Sequence, residues 1–208
     1  MIISTSLIRR RDDISLEAFQ RHWLAPHGPL TAALPGTIRY DQNHVKPDGA
    51  GTNATARKLS IDGFPTLAFT DADSRREAHA SPQMAACNED SRQFIGAVSR
   101  VISDDHGRSG PSPELPYVKQ IFLMPRSDTP VDLATLIDQL EGVAELIIHS
   151  ILEQGGAPNS TVPFIGTDVA ALAEVWTRDL DAVWRNAVTL EASEPALATF
   201  EVRVHRFI

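Results

Sequence analysis

Two histidines and one tyrosine near the start of the chain have side chains suited to acid–base chemistry: His27, Tyr40 and His44. Histidine titrates near neutral pH and can carry a proton to or from a reacting atom. A phenol can donate a hydrogen bond to an enolate or phenolate oxygen. We therefore predict proton transfer beside a carbonyl, with His27 as base or acid, Tyr40 polarising the substrate oxygen and His44 assisting.

His27 lies on a predicted helix over residues 15–34, in which apolar residues recur every three or four positions. Phe19 and Trp23 share its helical face and are expected to point to the core. Pro26 lacks an N–H group and clashes with a preceding carbonyl, so the helix must bend or stop there. A histidine at such a break faces a cavity and free carbonyls. The alternative is that His27 is purely structural and forms a hydrogen bond with the backbone of the broken turn.

Tyr40 and His44 lie on a predicted strand over residues 37–45, where alternate side chains face opposite sides. The two share one face, so we expect them to line the same space. Arg39 and Asp41 belong to the other face, which we expect to contact helices or solvent. For His44, a surface histidine at the end of a strand is the alternative.

Other reactive residue types lack a pattern that indicates a metal ion or a nucleophile. His22 and His27 are five positions apart and diverge on an α-helix, so they do not form a predicted metal site. Cys87 follows two alanines and is interpreted as a small apolar residue. Asp90 is predicted to cap a short helix that begins near Ser91.

Composition excludes several classes of protein. The chain has 208 residues, 42% of them hydrophobic, and a net charge of −8, without the basic face that nucleic acid requires. Its single cysteine allows no intrachain disulfide and no thiolate metal cluster. No apolar run is long enough to span a bilayer, and the first residues do not form a secretory signal. We therefore expect a cytoplasmic protein that contacts neither nucleic acid nor membrane.

The chain divides near its middle at a segment rich in glycine, serine and proline. We predict a first domain over residues 1–104, a linker over 105–116 and a second domain over 117–208. Each side shows the order βαββαβ, which implies a ferredoxin-like unit with one bare sheet face. Two such faces must cover each other. The predicted fold class is α+β, with two ferredoxin-like repeats that form an intramolecular dimeric α+β barrel; one continuous domain is the alternative.

The first half resembles the EthD-like family. The resemblance rests on FQRHWLAPHGPL at residues 19–30, LPG at 34–36, YDQN at 40–43 and DGFPTLAF at 62–69. The second half keeps the order of elements without these motifs. The resemblance implies a dimeric α+β barrel, a superfamily that includes muconolactone isomerases, cofactor-free monooxygenases and haem peroxidases. Some isomerases of this superfamily pair a histidine and a tyrosine spaced like His27 and Tyr40. They add a second histidine and a cysteine where this chain has Asn53 and Ala68, so that particular isomerisation is not implied.

Together these observations predict a cofactor-independent isomerase, lyase or monooxygenase acting on a small oxygenated aromatic, lactone or polyketide. Its substrate would bind between the sheet and the helices of the first half, against Phe19, Trp23 and Phe69. We predict no cofactor and no metal. The predicted partners are a small-molecule ligand and a second copy of the chain, in a homodimer of pseudo-dimers. A non-catalytic ligand-binding or accessory stress or degradation protein, and a haem-dependent oxidoreductase, are the alternatives.

Overall fold

The computed structural model describes residues 1–104, 110–111, 116–126, 133–156 and 160–208, without the side chains of residues 134 and 137. The predicted linker lies mostly outside the described residues. Eight strands form one sheet: β1 Ile2–Arg10, β2 Thr37–Val45, β3 Gly63–Phe69, β4 Ile95–Asp104, β5 Val118–Pro125, β6 Val143–Gly155, β7 Val169–Thr177 and β8 Ala198–Arg206.

The helices lie between these strands, and the first is interrupted. The described α-helices are α1 Leu16–His22, α2 Gly28–Ala32, α3 Ala54–Leu59, α4 Ala72–Ala80, α5 Pro82–Ser91, α6 Leu133–Ile137 and α7 Leu180–Ser193. A π-helical turn, Trp23–His27, joins α1 to α2. The predicted α+β class is confirmed.

The eight strands close into a barrel in the order β1-β3-β2-β8-β5-β7-β6-β4. Within each half the strands follow the same order, so that the first and third strands of that half are central. The halves meet at two antiparallel junctions, β2 with β8 and β4 with β6. The apolar residues inside the barrel come from both halves, for example Leu7, Phe64, Leu172 and Phe200.

One end of the barrel interior is polar and largely buried. Lys119 pairs with Glu174 at 2.8 Å, and the exposed fractions of the two side chains are 1% and 8%. Asp41, which is 2% exposed, accepts two hydrogen bonds from Arg206 at 2.7 and 3.0 Å. The prediction that Arg39 and Asp41 face helices or solvent is therefore wrong. The opposite face of β2 turns toward α1, which leaves these two residues on the barrel side.

The predicted helix over residues 15–34 is broken by a change of helical period at proline. Ser15 caps α1 by accepting a hydrogen bond from the Ala18 N–H at 3.1 Å. Pro26 cannot donate to the carbonyl of His22 and would collide with it in a regular α-helix. The chain accommodates Pro26 by widening into the π-helical turn, which moves the proline ring away from the His22 carbonyl. The wider turn also changes the direction of the side chains that follow.

Residues 46–58, which the sequence leaves without a predicted structure, pack against the second half. Asn53 caps α3 and also donates from its side chain to the carbonyl of Leu197 at 2.8 Å. Lys46 and the Gly51 N–H both bind the buried carboxylate of Glu201. These contacts fasten the segment to β8, away from the cavity described below.

A candidate acid–base site beside the first helix

A mostly apolar cavity of about 80 Å³ lies between the first-half sheet and helices α2, α4 and α5. His27, Tyr40 and Phe69 all line it, so three of the six predicted site residues share one space. Cys87 also lines it, with its thiol 3.9 Å from the Thr31 hydroxyl. Burial raises the pKa of the Cys87 thiol, so this residue is a neutral part of the wall.

His27 and His22 both bind the carboxylate of Asp90. The Nδ1 of His27 lies 2.8 Å from Oδ2 of Asp90, and the Nε2 of His22 lies 3.1 Å from Oδ1. Phe94 packs on both imidazole rings, with centroid distances of 5.0 and 4.8 Å. The four side chains form a cluster, called here the His–Asp cluster, at one end of the cavity.

The π-helical turn is what allows His22 and His27 to meet. Residues five positions apart on an α-helix point roughly 140° away from each other. The π-helical turn has a wider period, with i to i+5 hydrogen bonds, and brings such residues to one side. The expectation that the two histidines diverge is therefore wrong, because it assumed an unbroken α-helix.

Asp90 is not the cap of a short helix as predicted, but lies in the last turn of α5. That helix begins earlier, at Pro82, because Ser81 caps it and proline is favoured at the first helical position. Ser81 accepts a hydrogen bond from the Met84 N–H at 3.1 Å. Starting there, α5 places the Asp90 carboxylate against the π-helical turn.

His27 is held as a neutral base. Burial lowers the pKa of His27, and the hydrogen bond and negative charge of Asp90 oppose this shift without reversing it. The bond to Asp90 places the ring proton on Nδ1. Among the described residues, Nε2 of His27 has no hydrogen-bond partner, so its lone pair is available to a molecule in the cavity.

Tyr40 is held as a neutral donor. Burial raises the pKa of Tyr40 to about 12, so its hydroxyl stays protonated near neutral pH. The hydroxyl oxygen accepts a hydrogen bond from Nε2 of Gln42 at 2.8 Å. The side chains of Thr31 and Trp23 also hydrogen-bond to this hydroxyl, so a substrate oxygen would replace the Thr31 hydroxyl as acceptor of the phenolic proton.

His44 supports Tyr40 from outside the cavity. Nε2 of Gln42 also donates to the Trp23 carbonyl at 2.7 Å, which fixes the orientation of this amide because a carbonyl can only accept. The amide oxygen therefore faces His44, whose Nε2 lies 2.8 Å away and must donate. His44, Gln42 and Tyr40 thus form one directed chain of hydrogen bonds.

The other three predicted site residues, His44, Trp23 and Phe19, do not line the cavity. His44 is 4% exposed and stacks on Trp23 with ring centroids 4.2 Å apart, so it is not the surface histidine of the alternative interpretation. Trp23 and Phe19 pack in an apolar cluster with Phe94. A larger, open cleft of about 960 Å³ borders His44 and lies between α1 and α7, but neither Tyr40 nor Asp90 lines it.

Replacing Asp90 with asparagine is expected to lower the pKa of His27 further. The carboxylate favours the protonated imidazole, and the amide keeps its size but removes its charge. NMR titration of the His27 ring protons in the variant and the wild type measures this shift. Asp13→Asn, at an exposed carboxylate paired with Arg11, is the control and should leave His27 unchanged. A pKa of His27 that stays constant or rises in the Asp90 variant contradicts the assigned pairing.

No helix among the described residues is long and apolar enough to cross a membrane. The same residues contain no group of three or more histidine, cysteine, aspartate or glutamate side chains placed to hold a metal ion. The predictions of a cytoplasmic location and of a metal-free site are not tested by these observations.

Comparison of the chain with solved structures finds the same fold at low sequence identity. An anthrone oxidase-like protein superposes with a TM-score of 0.60 at 9% identity, over 99% of this chain and 92% of that one. A candidate monooxygenase from Fusobacterium nucleatum subsp. nucleatum ATCC 25586 gives 0.53 at 7% identity, over 98% and 91%. A candidate chlorite dismutase gives 0.51 at 13% identity, over 98% and 94%. These likenesses show an α+β fold similar to that of dimeric α+β barrel proteins.

The family comparison addresses the first half of the chain directly. No curated protein sequence matches the chain significantly. A family model does match: the EthD domain, over residues 11–97, which include the His–Asp cluster and Tyr40. The resemblance drawn from the motifs at residues 19–43 and 62–69 is therefore confirmed, and residues 11–97 are assigned to the EthD domain.

Proposed function

We propose that the chain is a cofactor-independent enzyme that moves a proton at a carbon or oxygen next to a carbonyl of a small oxygenated molecule. One observation carries the proposal: a neutral histidine oriented by a carboxylate and a protonated tyrosine line the same mostly apolar cavity. Acid–base sites typically contain two titratable groups whose surroundings keep one as a proton acceptor and the other as a proton donor. The EthD assignment and the fold are consistent with such a site.

The reaction begins with His27. Its Nε2 takes a proton from the substrate carbon or hydroxyl, and the electron pair of the broken bond moves toward the substrate oxygen. Tyr40 donates a hydrogen bond to that oxygen, and Asp90 stabilises the imidazolium. In an isomerase, His27 then delivers a proton to a different atom of the substrate, which restores the neutral ring. A monooxygenase shares the first step, and the substrate anion then reacts with dioxygen.

The size of the cavity limits the substrate. An engineered protein cavity of roughly 150 Å³ takes up benzene, and the cavity here, at about 80 Å³, is smaller. A short-chain carbonyl compound or a five-membered lactone suits this space better than a fused-ring ketone. Anthrones, after which one structural neighbour is described, are larger than the volume of this cavity.

Haem fits this cavity poorly, because a porphyrin requires far more space than the volume beside His27. No step is therefore assigned to a haem. An absorption spectrum of the purified protein without a Soret band would agree with the cofactor-free proposal.

The second half completes the barrel in this proposal. We propose that it is a degenerate copy of the ferredoxin-like unit, because its strands follow the same order as those of the first half while its sequence does not repeat the EthD-like motifs. It covers the inner sheet face of the EthD domain, and residues 105–116 connect the two. The homodimer of pseudo-dimers remains a prediction that sedimentation can test.

The proposal is tested with α-angelica lactone, a small lactone with an acidic C–H bond. In D₂O we expect the protein to accelerate the exchange of this proton for deuterium or the isomerisation of the lactone. Both changes are measured by ¹H NMR. Tyr40→Phe should lower kcat about 10²–10³-fold, since one donor to the developing oxyanion is lost. Tyr117→Phe changes the only other tyrosine, which lies beside Arg178 outside the cavity, and should keep wild-type kcat.

Binding of the lactone without exchange, equal in the wild type and in Tyr40→Phe, would contradict the enzymatic proposal. That result would favour the non-catalytic ligand-binding alternative. Oxygen uptake with the same compound distinguishes a monooxygenase from an isomerase, since only the former consumes dioxygen.

A further inference from the structure

Two arginines and a histidine at or behind another part of the cavity wall form no ion pair with an acidic residue among the described residues. Arg100 lies on β4 and His79 on α4, and both line the cavity. Arg75 lies one turn before His79 on α4. Among the described residues, neither arginine forms an ion pair, and the nearest carboxylate that acts on both, that of Glu153, is exposed.

The hydrogen bonds of this group leave several buried donors unused. Nη1 of Arg100 lies 3.4 Å from Nε2 of His79, which must therefore accept. The proton of the neutral His79 ring then resides on Nδ1. That Nδ1, the Nε of Arg100 and the Nε of Arg75 are all buried and have no hydrogen-bond partner among the described residues. Buried polar groups of this kind are rarely left unsatisfied, and several unsatisfied donors beside one cavity indicate a missing acceptor.

The electrostatics agree with a missing anion. Burial and the neighbouring charge of Arg75 lower the pKa of Arg100 to about 10, which still leaves it charged near neutral pH. Burial and the charges of Arg100 and Arg75 lower the pKa of His79 to about 3, so this ring is neutral. A charged guanidinium that is largely desolvated without a counter-ion costs folding free energy, and an anion between these groups would relieve that cost.

We propose that Arg100, assisted by His79 and Arg75, forms a subsite for the carboxylate of the substrate. The inference rests on the proposed function, because it assigns this carboxylate to the molecule on which His27 and Tyr40 act. Tyr40 and Arg100 stand on β2 and β4, the two outer strands of the first-half sheet, and both side chains line the same cavity. The subsite therefore anchors one end of a small organic acid, and the carbonyl at its other end is presented to the His–Asp cluster and Tyr40.

The test compares crotonate with crotonamide, which have nearly the same shape and differ in charge. By isothermal titration calorimetry at neutral pH, the wild type should bind crotonate at least tenfold more tightly than crotonamide, a difference of about 1.4 kcal/mol. Crotonate should also raise the melting temperature, since it binds only the folded state. Arg100→Met should remove the preference for crotonate and leave crotonamide binding unchanged.

A residue with a merely structural role would behave differently. Arg100→Met should raise the melting temperature of the unliganded protein, because an unpaired buried charge is replaced by an apolar side chain of similar length. Arg100→Lys, which keeps a positive charge, should retain part of the preference. Arg76→Met, at an exposed arginine of α4 that is paired with Asp73, is the control and should behave like the wild type.

Three results would overturn the subsite: no crotonate binding by the wild type, equal binding of acid and amide, or an unchanged preference in Arg100→Met. His27→Ala separates this inference from the proposed function. That variant should keep crotonate binding even though it lacks the catalytic base. Crotonate binding in a protein without lactone turnover would therefore support the anion subsite and contradict only the proposed reaction.

Discussion

Replacing His27 with alanine is expected to reduce turnover of α-angelica lactone about 10²–10⁴-fold, the range for loss of a general base. The neutral imidazole is the only group of the His–Asp cluster that lines the cavity, because His22 and Asp90 lie behind it. Initial rates measured by ¹H NMR give the effect on kcat and KM separately. We expect kcat to fall and KM to change little, since proton abstraction is lost while the cavity remains.

His205→Gln is the matched control for this substitution. His205 is a neutral histidine, whose pKa is lowered by burial, and it lies beside His44 outside the cavity. Its replacement should leave turnover unchanged. Circular dichroism and the melting temperature of both variants establish that they fold. A folded His27→Ala protein with wild-type turnover would show that His27 is structural.

Replacing Lys119 with methionine is expected to destabilise the folded chain by about 3–5 kcal/mol, the usual cost of removing one partner of a buried ion pair. The ammonium group contacts Glu174 at 2.8 Å and Oδ1 of Asn43 at 2.9 Å, inside the barrel. The variant leaves Glu174 desolvated, with the imidazole of His149 at 3.6 Å. Urea denaturation measures the change in the free energy of unfolding.

The double variant Lys119→Met with Glu174→Leu should recover most of the lost stability, because no unpaired charge remains inside the barrel. Arg126→Met breaks an ion pair with Asp168 whose side chains are 63% and 61% exposed, and should cost less than about 1 kcal/mol. A small effect of Lys119→Met, comparable to that of Arg126→Met, would show that water reaches this end of the barrel.

The same pair determines how stability depends on pH. Burial opposes ionisation of Glu174, but the charge of Lys119 and the contacts of His149 outweigh it, so the pKa of Glu174 is below its ordinary value. A lowered carboxyl pKa contributes stability that is fully present above the unfolded-state value of 4.5. That contribution should diminish as the pH falls below this value toward the folded-state pKa.

Local sequence patterns predicted the strands better than the helices. β2 has the predicted bounds of residues 37–45, because alternation and the flanking turn residues specify a strand without reference to the rest of the chain. The pairing of His27 with Tyr40 also followed from local patterns, since a proline break and a strand period fix where each side chain points. Phe69 reached the cavity for the same reason.

The parts of the site that were missed depend on contacts between distant residues. Asp90 is 63 positions from His27, and no spacing rule connects them. The proximity of Pro26 to two histidines five positions apart was a usable signal for a π-helical turn, because proline excludes the regular helix there. Arg100 could not be recognised from sequence, since an arginine in a strand becomes a site only when its neighbours fail to neutralise it.

The junction of β2 with β8 has a consequence for how the protein is made. Asp41 and Arg206 are 165 positions apart, and Phe207 stacks on Tyr40 with ring centroids 5.1 Å apart. During synthesis the EthD segment emerges first, with one long edge of its sheet still uncovered. Ribosome-bound chains that stop before residue 198 should therefore expose this edge and associate with chaperones or with each other. The wall behind Tyr40 therefore forms only after translation has passed Phe207.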